Sequence, residues 1–202
     1  MRKLLCILSL LAVAVFVGLS HLPVGAHAAD TQPAGEAKVV ADFETDADLK
    51  LVKAADDQVT IAIDESHATA GKKSLKITSA KGNDYGPMDL LGDALKDMPK
   101  YKYLVIDFTT DQDVTVPVTP EVWDDKSTDY QTRATQDEGI KPLKKGKVTV
   151  VVDLSKFERN DKSGKMDMSK ITKFRIIFTT KDLKDDLVTY MDNVRLTNTE
   201  PK

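Results

Sequence analysis

The chain is 202 residues long, with 32 acidic against 29 basic side chains, a formal net charge of −3 and 41% hydrophobic residues. That suits one domain with a sizeable core. The two signs are interspersed and no long basic tract occurs, which argues against nucleic acid or an anionic lipid surface as a partner.

In chain order, Arg2 and Lys3 precede an apolar run from Leu4 to Leu19, and Ala26-His27-Ala28 has the small-x-small form of a signal-peptidase site. Cleavage is expected after Ala28. It leaves about 174 residues, takes the net charge from −3 to −5 through loss of Arg2 and Lys3, and removes Cys6, the only cysteine. The run is short for a hydrocarbon core about 30 Å thick. No membrane span is therefore expected after signal removal, and the protein is expected to be secreted or periplasmic. A secreted domain without disulfides depends on its core, alone or with a metal. Residues 29–37 form a polar, small-residue linker.

Residues 38–198 then read mostly with period two. Val39 to Glu44 predicts a short strand with Asp42 and Glu44 on one face. Val59, Ile61 and Ile63 alternate with Thr60 and Ala62, and Leu75 and Ile77 alternate with Ser74, Lys76 and Thr78. Asp89 to Met98 places Leu90, Leu91, Leu95 and Met98 at helical spacing, stopped by Pro99. Tyr103 to Thr109 alternates, and a turn is expected at Asp111–Asp113. Val114 to Val122 is a β-branched run whose Pro117 and Pro120 predict an edge or bulged strand. Turns are also expected at Asp124–Ser127, with Tyr130 and Arg133 on the following strand, and at Lys144–Lys147. Val148–Val152 and Phe174–Phe178 are apolar runs, with a short turn at Met168–Ile171 between them. About nine or ten strands without long intervening helices predict an all-β, two-sheet antiparallel β-sandwich.

The last strand, Thr189 to Leu196, places Tyr190, Asp192, Val194 and Leu196 on one face and Met191, Asn193 and Arg195 on the other. An acid among core-facing positions must be neutralised. In one arrangement Asp192 pairs with a lysine or caps loop amides. In the other, a calcium ion takes carboxylates from Asp42, Glu44 and Asp192 and carbonyls from around His67 and Lys73 in the loop turning on Gly71. Catalysis finds little support. His67 is the only histidine after residue 28, and no nucleophile elbow, zinc-protease motif or phosphate-cradling loop occurs. The acids lie mainly in short charged loops, so the protein is expected not to be an enzyme.

Several segments together carry a resemblance. Asp42-Phe-Glu44 is followed by Ser66-His-Ala-Thr-Ala-Gly-Lys-Lys-Ser-Leu-Lys-Ile77, then Tyr103-Leu-Val-Ile-Asp-Phe108 and Leu143-Lys-Lys-Gly-Lys-Val-Thr-Val-Val-Val-Asp-Leu154. Met166 to Phe178 and Tyr190-Met-Asp-Asn-Val-Arg-Leu196 complete the order. From Val39 to Thr197 the chain resembles the galactose-binding-like jelly rolls of non-catalytic carbohydrate-binding modules attached to secreted glycoside hydrolases. The resemblance implies a structural calcium held by Glu44 (or Asp42), by carbonyls near His67 and Lys73, and by Asp192. It also implies glycan binding on a sheet face. The chain departs from that pattern in its aromatics, with one Trp and five Tyr. Trp123 and Tyr130, flanked by Glu121, Asp124, Asp129 and Arg133, form the best platform, with Tyr85 beside them; the alternative is that Trp123 and Tyr85 close the core. The expected partner is a polysaccharide or glycan. The alternative is a structural or adhesive domain that binds a protein of the envelope.

Overall fold

The computed structural model describes residues 37–201. The expected signal peptide and residues 29–36 of the linker lie outside the described residues. Two antiparallel sheets enclose one core. In the first, β3 (Val59–Asp64), β4 (Ser74–Ser79), β11 (Leu187–Thr197), β6 (Tyr103–Val116) and β9 (Leu143–Asp153) follow in that order, and β1 (Lys38–Ala41) also pairs with β11. The second runs β2 (Val52–Ala54), β5 (Gly86–Leu90), β10 (Ile171–Phe178), β7 (Val118–Asp124), β8 (Ala134–Thr135). The domain is the all-β, two-sheet antiparallel sandwich that the periodicity predicts, and the jelly roll that the resemblance implies. No helix among the described residues is long and apolar enough to cross a membrane.

Strand alternation sorts the side chains. Leu75, Ile77, Leu104, Ile106, Phe108, Val150, Val152, Met191, Val194 and Leu196 of the first sheet meet Met88, Leu90, Val122, Phe174, Ile176 and Phe178 of the second, all fully or almost fully buried. Phe108 and Phe178 meet edge to face across the layers, with centroids 5.8 Å apart and planes at 87°.

Several elements differ from their sequence reading. The helical spacing at Asp89–Met98 holds only in part: Asp89 and Leu90 end β5, and a single turn of helix, α1 (Asp93–Lys96), follows. The Val114–Val122 run is two strands. Pro117 stands where the chain leaves the first sheet as β6 and enters the second as β7. Pro120 lies within β7, which is not at the edge; its outer neighbour is the two-residue β8, so little of the ladder on that side needs an N–H there. The turns expected at Asp111–Asp113 and Lys144–Lys147 lie within β6 and β9, whose register shifts between Thr110 and Thr115.

The most consequential difference is in β11. Asp192 pairs with Asp107 but Arg195 with Val105, so three steps on β11 oppose two on β6. Asn193, at φ 49°, occupies the left-handed conformation that such a β-bulge requires of one residue. The bulge reverses the face of all that follows. Met191, Val194 and Leu196 share the core face, while Tyr190 and Asp192 point outward.

Phe178→Ala is expected to cost about 3–5 kcal/mol of unfolding free energy. A double-mutant cycle with Phe108→Ala, followed by urea denaturation, should show coupling of about 0.5–1.5 kcal/mol; strict additivity would contradict the edge-to-face contact.

Candidate functional site

The outward face of the second sheet carries a row of charges in register. Lys53 of β2 lies beside Asp89 of β5, Asp89 beside Arg175 of β10, and Arg175 beside Glu121 of β7. Asp89 and Glu121 are buried, and each is covered by an arginine. Arg175 grips Asp89 with two N–H groups, at 2.6 and 3.0 Å, and donates to the Tyr85 hydroxyl. Burial works against the Arg175 charge, but the bonds to Asp89 and Tyr85 outweigh it and hold the guanidinium pKa above its ordinary value. Glu121 accepts from the Trp123 indole N–H and lies 3.0 Å from Arg133 Nε.

The five residues read as a sugar platform come together here. The Arg133 guanidinium lies 4.9 Å from the Tyr130 ring centroid, 5.3 Å from Trp123 and 6.0 Å from Tyr85. Tyr130 is 57% exposed, while Trp123 and Tyr85 are half-buried and outside the core cluster. Trp123 therefore does not close the core. Tyr130 and Arg133 are not on a strand, as expected from sequence, but in the loop between β7 and β8. That loop is tied down at many points. Asp129 accepts from the N–H groups of Gln131 and Thr132, and Arg133 N–H donates to Asp129 C=O. The Asn160 amide donates to Tyr130 C=O, and Arg159 to Thr132 C=O. Asp124, read as a flank of the platform, faces away from it and binds Arg159 at 2.5 Å.

Asp89, Arg175 and Lys173 belong to this face but were missed in the sequence. Lys173 pairs with Trp123 in the ladder, and its ammonium lies 4.3 Å from the indole centroid. Their signal is the odd-numbered phase of β10, where Lys173 and Arg175 alternate with the buried Phe174 and Ile176; it becomes readable only once the neighbouring strands are known.

The residues read as calcium ligands lie where the chain ends meet. β4 pairs with residues 187–191 of β11 and β1 with residues 194–196, leaving a gap on that edge at Asp192. The 65–73 loop fills it. Asp192 Oδ2 accepts from the N–H groups of Thr69 (2.6 Å) and Ala70 (2.8 Å) and from the Thr69 hydroxyl, and Oδ1 accepts from Asn193 N–H. Asp42 and Glu44 lie beyond the end of β1 rather than on it, in a turn where Phe43 has φ 56°. Glu44 Oε1 accepts from Lys72 N–H (2.6 Å) and Lys73 N–H (2.8 Å), which hold its pKa below the ordinary range, and Asp42 accepts from Glu44 N–H. His67 stacks on Tyr190 with centroids 4.0 Å apart and bonds Asp111.

Asp192 thus caps loop amides, the first of the two arrangements left open by the sequence. The neighbouring Asp107 is buried beside Arg195 (3.3 Å), Lys147 (3.2 Å), Asn193 and Thr149. Burial raises its pKa, but the Thr149 bond, the Arg195 charge and the other donors outweigh it, and the net direction is down. Asp192 and Glu44 thus each accept from N–H groups of the 65–73 loop. Among the described residues no three acids, histidines or cysteines gather as metal ligands.

No protein-family model matches the sequence, and no curated protein matches it. Solved structures do. A family 11 carbohydrate-binding module from Clostridium thermocellum, in complex with a β-1,3-1,4-mixed-linked tetrasaccharide, superposes with a TM-score of 0.56 at 13% identity, over 82% of this chain and 98% of that one. The C-terminal family 22 module of Clostridium thermocellum Xyn10B gives 0.51 at 14% identity, over 80% and 92%. An exo-β-agarase gives 0.60 at 16% identity, over 81% of this chain and 25% of that one. The chain shares the fold of carbohydrate-binding modules.

Gly71→Ala tests the clasp between loop and chain end. At φ +69° a new Cβ would lie 2.2 Å from Glu44 Oε1, so a loss of about 1–3 kcal/mol is expected in thermal or urea unfolding. A calcium ion at this clasp, as expected from the sequence, would raise the melting midpoint by several degrees; a midpoint moved by neither added calcium nor chelator would remove the cation from it.

Acid titration tests Asp107. A depressed native pKa gives stability that is complete above the unfolded value near 3.9 and is lost as pH falls through the native value. Asp107→Asn should be less stable than wild type at pH 7 and should lose less stability between about pH 5 and pH 2. Parallel curves would remove Asp107 from the acid transition.

Proposed function

We propose that this protein binds a polysaccharide or glycoconjugate, without chemistry, on the outward face of its second sheet. The observation that carries the reading is the gathering of Trp123, Tyr130 and Tyr85 around Arg133, itself set by buried Glu121. Rings of this kind offer an apolar face to a pyranose, and a few fixed polar groups orient its hydroxyls. The fold shared with carbohydrate-binding modules, one of them solved with an oligosaccharide, supports the same reading. So does the secretion expected from the N-terminal residues.

The face is built for binding rather than bond cleavage. Glycoside hydrolysis needs two carboxyl groups beside the ligand, one able to give up a proton and one to take a proton or attack. Here both oxygens of Asp89 are taken by Arg175, and Glu121 is shared between the Trp123 indole and Arg133. Both carboxylates are committed to side chains of the face itself.

Retention of the protein on insoluble polysaccharides and in affinity gels tests the proposal. Tyr130→Ala should weaken retention while leaving the melting midpoint within about 1 °C, because that ring is largely exposed. Trp123→Ala should abolish retention and cost less stability than the roughly 3–5 kcal/mol of a core aromatic. A wild-type protein retained by no polysaccharide would instead favour an adhesive domain that binds an envelope protein.

A further inference from the structure

We infer that the glycan bound by this face is anionic, a polymer with carboxylates on successive sugars. The inference rests on the sugar-binding reading above and goes beyond it by assigning the chemical class of ligand.

Asp89 is taken by Arg175 and Glu121 by Arg133, so the two buried acids neutralise the two arginines. Lys53 and Lys173 remain, and no carboxylate of the described residues lies within ion-pair distance of either. The strand rows of this face thus keep two cations without an ion-pair partner on a chain whose net charge is −3, with Asp129 and Asp137 in the loops at its rim. An unpaired lysine beside Trp123 and Arg133 presents a local potential opposite to the chain's overall charge.

The second step is the fork on Arg133. Its Nε is held against Glu121, and its side chain is 14% exposed. Its two terminal nitrogens have no hydrogen-bond partner among the described residues. Two parallel N–H groups on a guanidinium match the two oxygens of a carboxylate, in a geometry that lysine cannot supply. The Glu121 charge, 3.0 Å from Nε, holds that fork at the platform before any ligand arrives.

The third step separates a charged sugar from a neutral one. Lys173 and Arg133 both lie against the Trp123 ring. A neutral pyranose stacking on the indole must compete with these cation–π contacts and gains no charge partner in return. A uronate keeps both cations as donors to its carboxylate. Lys53 lies across β5 and β10 from Glu121, three strand steps or about 14 Å at roughly 4.8 Å per strand. A chain of charged sugars spans that distance; a single sugar does not.

Affinity electrophoresis and calorimetry of the full chain would compare polygalacturonate and alginate, a sulfated carrageenan, and neutral mixed-linked β-glucan and xylan, at about 50 and 500 mM NaCl. The carboxylate polymers should bind most tightly and weaken at least tenfold at the higher salt. Lys173→Gln should weaken them about fivefold without moving the melting midpoint. Arg133→Lys, which keeps the charge and loses the fork, should weaken them about tenfold or more. Equal or tighter, salt-insensitive binding to the neutral polymers would overturn the anionic assignment and leave the sugar-binding reading standing. Equal binding to carrageenan would overturn the carboxylate assignment. Binding to none of the five would overturn both readings.

Discussion

The first sheet depends on how two carboxylates in opposite register are kept apart. Asp192 of β11 and Asp107 of β6 are ladder partners, and like charges directly opposite one another destabilise a sheet. The β-bulge at Asn193 resolves the conflict. It turns the Asn193 N–H onto Asp192 and the Asn193 side-chain amide onto Asp107. Asp192 is left to the amides of Thr69 and Ala70, and Asp107 to Arg195, Lys147 and Thr149. The same extra residue returns Val194 and Leu196 to the core, allows β1 to join the edge of β11 below the gap, and seats the 65–73 loop across it. Without the bulge, either the acids or the apolar residues of β11 would face the wrong side.

The second sheet handles buried acids differently. Asp89 and Glu121 close no chain end; each fixes an arginine on the outward surface. A long cationic side chain left in water samples many rotamers, and ordering it on binding costs affinity. A buried carboxylate beneath it meets that cost during folding. The platform aromatics are anchored to the same row: Trp123 donates its indole N–H to Glu121, and Tyr85 accepts from Arg175. The two sheets therefore use acids for unlike ends, one to complete the fold and one to hold a surface ready.

Much of this was legible in the sequence because alternation is a local property. The strands around Ile61, Ile77, Ile106, Val150 and Ile176 lie where their period places them. What alternation cannot show is a change of phase. The bulge adds one residue, and one residue exchanges the faces of a strand, so the side of Asp192 was read correctly relative to Tyr190 and wrongly relative to Val194. Asp89 escaped notice because Leu90, Leu91, Leu95 and Met98 imitate a helical stripe when β5 and α1 are read as one element. Arg175 was hidden for another reason. Within Phe174–Phe178 it is one charge in an apolar run, and its meaning lies in neighbours on β5 and β7, far away in sequence. Trp123, Tyr130, Arg133, Glu121 and Tyr85 were found because aromatic and charged residues crowd a short segment, even though Tyr130 and Arg133 proved to be on a loop.

A chain with only 6% aromatic residues has few rings with which to grip a polymer. The geometry offsets the shortage. Three rings converge on one guanidinium, and the loop that carries two of the four groups is tied to residues 159–161 by Asn160, Arg159 and the backbone. Asp124, buried beneath that loop, binds Arg159 and so anchors the residue that holds Thr132. Affinity in such a site follows the number of groups already in position more closely than the number of rings. The acids that the sequence shows as scattered charges are, in the fold, what sets those groups in position.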